Sequence, residues 1–203
     1  MRLSTIAFLL AFSPACFAVD APAPVAVIAT ATLPLPTFMR DGAAVVRLDA
    51  KGYPQPLRAG SNGMVCIADD PGDDQLDVRC YQQDFIAVVY RSFQLRRAAG
   101  DPDAHIGGTI EAEIKAGKIH LPPQPTAGYR CSGPIADYDA AANSYRPPVE
   151  CWQSVHFPYR TAAELGLPDE SQVSEAQKRT LPYVMSSGKY WAHVMIEHPD
   201  ERK

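Results

Sequence analysis

From Ala43 the chain alternates. Ala44, Val46 and Leu48 fall between Ala43, Val45 and Arg47, a period of two that predicts a strand. Lys51-Gly52 reads as a turn into a second extended segment over Pro54–Arg58, and Gly60 to Gly63 as another turn. Met64, Cys66 and Ala68 would share one face of the next strand, and Leu76, Val78 and Cys80 one face of the strand after it. Between them lies Asp-Asp-Pro-Gly-Asp-Asp, Asp69 to Asp74, a strong reverse-turn signal. The expectation is a hairpin with both cysteines on its apolar side.

The period then lengthens. Ile86, Val89, Tyr90 and Phe93 form one stripe of a helix over Phe85–Ala99, with Asp84, Arg91 and Gln94 opposite. Asp84 is placed to cap its free amides, Gly100 to stop it, and Arg96 and Arg97 to meet its carbonyl end. A shorter helix is expected over Ile110–Ala116, capped by Thr109 with Glu113 nearby and ended by Gly117. Thr161-Ala162-Ala163-Glu164 has the capping-box pattern, closed by Gly166. Residues 118–134 and 149–158 read as strands around proline-rich loops, and Tyr190–His198 as the last strand. Residues 19–37, rich in alanine and proline, read as an extended arm, part of it added to a sheet edge. The fold expected is α+β: a small, mostly antiparallel sheet with one main helix (85–99), short helices and two disulfides, in a single domain over 38–203.

Composition narrows the class. Hydrophobic residues make up 46% and charged ones 21% of 203 residues, ordinary for a globule and too apolar for a disordered chain. The 19 prolines favour many short elements over long helices. A net charge of −4 without a basic block argues against nucleic acid as a partner.

Residues 1–18 read as a signal peptide. Arg2 supplies the positive start, Ile6 to Phe12 the apolar run, and Cys16 and Ala18 the small residues before cleavage at Val19. The run is about half of the roughly 20 residues that span a bilayer, so no transmembrane anchor is expected. Two other readings are a buried N-terminal helix and a lipoprotein modified at Cys16, although Ser13 stands where leucine is usual. The expected location is periplasmic or extracellular.

Without Cys16 the chain carries an even set, Cys66, Cys80, Cys131 and Cys151, with three possible pairings. Cys66–Cys80 and Cys131–Cys151 are favoured because each closes a short, turn-rich loop in an oxidising compartment. Zinc binding or a nucleophilic cysteine is disfavoured by the absence of C-x-x-C. Neither metal nor cofactor is expected.

Candidate chemistry is sparse. Asp69, Asp70, Asp73 and Asp74 offer carboxylate oxygens to calcium but lack D-x-D-x-D spacing, so a solvated turn is the simpler reading. There is no G-x-S-x-G, no phosphate-binding glycine loop and no H-E-x-x-H, and Ser186-Ser187-Gly188 reads as a turn. Gly107-Gly108 before a helix start is a weak anion signal. Among His105, His120, His156, His193 and His198, the last two are five apart and fall on opposite strand faces. A long-range pair is the better candidate. Trp152, Ser154 and His156 would share one face, and Trp191, His193, Met195 and Glu197 one face of the last strand. If those strands are neighbours, His156 and His193 line a cleft floored by Trp152 and Trp191. Separate surface histidines are the plainer expectation.

Leu57-Arg58-x-Gly60-x-Asn62-Gly63-x-x-Cys66 and His193-Val194-Met195-Ile196 together resemble a loose group of exported bacterial proteins. That group carries N-G-aromatic-x-C early and an H-V-M-I-like strand late; Met64 here replaces the aromatic residue. The resemblance implies a single exported domain whose Cys66 segment and last strand serve the core, and no catalytic residue. The function expected is a non-catalytic binding or envelope-associated domain, its partner an envelope component or a small ligand. The alternative is a hydrolase using His156 or His193 with a carboxylate such as Glu197 or Asp137.

Overall fold

The computed structural model describes residues 25–71 and 73–197. The leader, the first part of the arm and His198 lie outside the described residues. Two short helices, α1 (Val25–Ala31) and α2 (Thr37–Arg40), precede strands β1 (Ala44–Leu48), β2 (Pro54–Arg58), β3 (Met64–Ile67) and β4 (Gln75–Gln82). A 3-10 turn over Gln83–Phe85 leads into α3 (Ile86–Ala99), followed by α4 (Gly107–Lys115) and β5 (Thr126–Pro134). A small ribbon of β6 (Tyr138–Asp139) and β7 (Ser144–Tyr145) comes before β8 (Glu150–His156). Short helices α5 (Ala162–Leu165) and α6 (Glu175–Lys178) precede β9 (Tyr183–Met185) and β10 (His193–Glu197).

The main sheet has eight strands in the order β2-β1-β3-β4-β5-β8-β10-β9, antiparallel except for the β1–β3 pair. The expectation of a small sheet is therefore corrected. Three-residue β9 is too short to show a period, and its pairing with β10 is decided by long-range register. Among the described residues no helix is long and apolar enough to cross a membrane.

Register sorts the side chains between two faces. Val65, Ile67 and Tyr81 pack with Phe85, Ile86, Val88 and Val89 and with Ile110 of α4. The other face carries Val45, Cys66, Cys80, Val78 and Cys131, covered by Ala31, Leu33 and Leu35. Both disulfides lie there, Cys66–Cys80 and Cys131–Cys151, each joining residues directly opposite on paired strands. The predicted hairpin and both favoured pairings are present.

Several boundaries differ from expectation. The arm is not extended over 25–31: it is helix α1, and Leu33 and Leu35 just after it are buried on the sheet. Apolar area outweighs the alanine-proline composition there. Asp84 sits inside the 3-10 turn, and neither it nor Thr109 caps a helix: α3 and α4 begin after Phe85 and Ile106 without a side-chain cap. Residues 118–125 are irregular, so only Thr126–Pro134 of the expected 118–134 strand forms. The last strand starts at His193, because Ala192 N–H turns back to the Lys189 carbonyl and puts Trp191 in the preceding turn. The capping box at Thr161 and the left-handed stops at Gly100 and Gly166 form as expected.

The glycine-asparagine segment is a structural corner. A Cβ on Gly60 would come within 2.3 Å of the Ala44 nitrogen, and Gly63 has φ +75°. Asn62 donates from Nδ2 to the Met39 carbonyl at 2.7 Å and accepts from Met64 N–H at 3.0 Å. Arg58 donates to the Ala43 and Arg40 carbonyls. These bonds fix the path that delivers Cys66 to Cys80.

Candidate functional site

On the helix-covered face, the register β4–β5–β8–β10 sets Arg79 beside Arg130, Arg130 beside Trp152, and His156 beside His193. Helices α3 and α4 cover this face at β1, β3 and β4, and towards β8 and β10 it becomes polar. There a cavity of about 210 Å³ opens, walled by Arg79, Tyr81, Arg96, Arg130, Trp152, Ser154, His156, Trp191 and His193. The structure thus brings the four candidates Trp152, His156, Trp191 and His193 to one cavity. It does not place two histidines apart on separate surfaces.

His156 is 2% exposed and His193 8%. Their rings stack with centroids 4.9 Å apart, and Phe85 and Trp191 lie against His156 at 4.3 and 5.2 Å. Burial, reinforced by the neighbouring His193, holds the His156 imidazole well below its ordinary value and so neutral. Burial also lowers His193, against the opposing pull of the Trp191 carbonyl and the Glu170 charge. His193 Nδ1 lies 2.7 Å from that carbonyl, which only accepts, so Nδ1 carries the proton and donates. His156 Nε2 meets Ser154 Oγ at 3.2 Å, while its Nδ1 is buried with no hydrogen-bond partner among the described residues.

Three arginines are not among the site residues expected from the sequence, Arg96 being read there only as a partner of its helix's carbonyl end. Arg79 and Arg130 both grip Asp77, each through Nε and Nη2 to its two carboxylate oxygens. Burial works against the Asp77 charge, but the two guanidiniums hold its carboxyl below the usual range. Arg130 also lies over the Trp152 ring, 5.0 Å from its centroid, and Arg79 over Phe93 at 5.1 Å. Arg96 reaches in from the last turn of α3; its Nε is buried and unpaired, and it joins no ion pair among the described residues. The signal available was alternation: Asp77, Arg79 and Tyr81 interleave with Leu76, Val78 and Cys80, placing charges on the face that a helix half covers.

The carboxylates considered for a hydrolase are placed differently. Asp137 follows the far end of β5 from Thr126, the residue opposite His156, and its ion-pair partner is Arg146. Glu197 pairs with Trp152 at the end of β10 opposite to His193. In the acidic turn, Asp73 accepts from Gln75 N–H at 2.9 Å and Asp69 from Asp77 N–H at 2.7 Å, as a turn requires. Comparison of the chain with protein-family models, with curated proteins and with solved structures finds no match.

The site's electrostatics are one-sided. Three guanidiniums line the cavity and, among the described residues, no carboxylate does. Asp77 lies behind Arg79 and Arg130, lining instead a larger neighbouring cavity of about 580 Å³. Arg79 and Arg96 also line that neighbouring cavity, together with Asp69, Asp70, Asp73 and Asp101, while the smaller cavity's own lining stays cationic with both imidazoles neutral. Low-dielectric walls magnify such an imbalance.

Proposed function

We propose that the chain is an exported, non-catalytic binding domain that takes a small acidic ligand into the cavity between Trp152 and Trp191. The single observation that carries this reading is the wall of Arg79, Arg96 and Arg130 facing a cavity with no lining carboxylate among the described residues. Arg79 and Arg130 have Asp77 as an acid partner, and Arg96 is the one of the three with no ion pair among the described residues. The two disulfides support an oxidising compartment and hence export.

The test is a thermal-shift series on the purified chain with acidic, neutral and basic small molecules. A ligand at 100 times its Kd stabilises the fold by about 2.7 kcal/mol. Acidic compounds are expected to raise the melting temperature and basic ones to leave it unchanged. A rise confined to neutral or basic compounds would defeat the proposal.

A hydrolase is the second reading, favoured by one contact, Ser154 Oγ against His156 Nε2. A serine nucleophile of that kind needs its histidine oriented by a third group, and His156 Nδ1 has none among the described residues. Labelling of Ser154 by a fluorophosphonate would favour this reading over simple binding.

A further inference from the structure

Resting on the acidic-ligand reading, we infer that the ligand's anchoring group is a doubly charged tetrahedral oxyanion, the form taken by inorganic phosphate, inorganic sulfate and phosphate monoesters, rather than a carboxylate. Charge is the first reason. Arg79, Arg96 and Arg130 line the cavity and, among the described residues, no carboxylate does, so a dianion satisfies more of this cationic lining than a monocarboxylate can.

Donor geometry is the second reason. A carboxylate is read by one fork, two parallel N–H groups on one edge of a guanidinium. Arg79 and Arg130 have already committed their Nε and Nη2 edges to Asp77, so neither offers that edge to a ligand. What remains outside the Asp77 contact is the Nη1 amino group and the second Nη2 N–H of each, with Tyr81 a further partner of Arg79. Arg96 approaches from α3 while the other two rise from adjacent strands β4 and β5. Donors arriving from three elements suit an anion whose oxygens point in more than two directions. Asp77 acts here as a positioning residue, locking two guanidiniums in place.

The cavity also supplies polar groups between those donors. The Ser154 hydroxyl lies against the buried imidazole of His156, whose Nδ1 is unpartnered. A volume of about 210 Å³ holds one such anion with room for a small substituent towards the tryptophans.

The experiment uses the molecule's own reporters, because the only two tryptophans in the chain, Trp152 and Trp191, both line the cavity. Their fluorescence is titrated with sodium phosphate, sodium sulfate and sodium acetate at neutral pH and fixed ionic strength. Both dianions are expected to bind at least about tenfold more tightly than acetate, and the tighter of the two separates a phosphate-type ligand from inorganic sulfate. Arg96→Gln, with its far-UV spectrum unchanged, is expected to bring the dianions down to the acetate level; Arg130→Gln serves as a second variant. Acetate binding as tightly as the dianions would overturn this inference and leave the acidic-ligand reading standing. No response to any of the three anions, checked by calorimetry, would overturn both. Dianion binding unaffected by either arginine variant would place the anion elsewhere and overturn the assignment.

Discussion

His156 occupies a place where a charged imidazole is costly, enclosed by Phe85, Tyr81 and Trp191. It and His193 both titrate below the ordinary histidine value in the folded chain. The unfolded chain therefore takes up these protons first as the solution is acidified. Stability is full above about pH 6.5 and falls as pH drops towards the folded values, by at most about 1.4 kcal/mol per pH unit for each proton. Thermal melting from neutral pH to about pH 5 should show this decline, and His156→Phe should make it shallower. An identical slope in the variant would remove His156 from the account. Gly128 is a second residue-scale test. A Cβ there would meet Ser154 Oγ at 2.7 Å and His156 Nε2 at 3.1 Å, and backbone dihedral strain is not at issue. Gly128→Ala is expected to cost about 1–3 kcal/mol in urea unfolding and to weaken anion binding with it.

The elements that hold the site are the paired strands β3–β4 and β5–β8, each pair closed by one disulfide on the face away from the cavity. Their sequence separations are 14 and 20 residues, and each bridge is expected to contribute about 3 kcal/mol in the chain-entropy treatment. Replacing Cys66 and Cys80 together by alanine should lower the urea stability by about that amount, with a smaller change in the tryptophan environment because β8 and the 191 turn remain tethered. These strands were legible in the sequence because Met64, Cys66, Leu76, Val78 and Cys80 keep a period of two on a face buried by one layer. The Trp152-Ser154-His156 face could be read the same way, and its pairing with His193 was foreseen as a condition on strand order. The eight-strand breadth was not legible, since β9 is too short for periodicity. Nor was α1: a helix made of Val25 to Ala31 owes its place to the sheet surface it covers. The three-arginine wall escaped because its members lie on β4, α3 and β5, and only register and helix docking bring them together.

At the scale of the whole molecule, charge is unevenly distributed. The chain is acidic overall, at −4, yet its polar cavity is lined by three arginines and, among the described residues, by no carboxylate. An acidic exterior slows non-specific capture of anions, so selectivity falls to the cavity walls and to the exchange of water for fixed donors. One face of the sheet is spent on disulfides and on burying the N-terminal helices; the other is closed by α3 and α4 over β1, β3 and β4, and remains polar over β5, β8 and β10. The most direct measurement of this division is a crystal structure of the purified chain grown with tungstate, whose tetrahedral dianion scatters anomalously. The account predicts one strong anomalous peak in the cavity, within hydrogen-bond reach of Arg96 and of the Arg79 and Arg130 amino groups, beside Trp152 and Trp191. Tungstate seated only on exposed arginines, with that cavity empty or filled by a rearranged side chain, would contradict it.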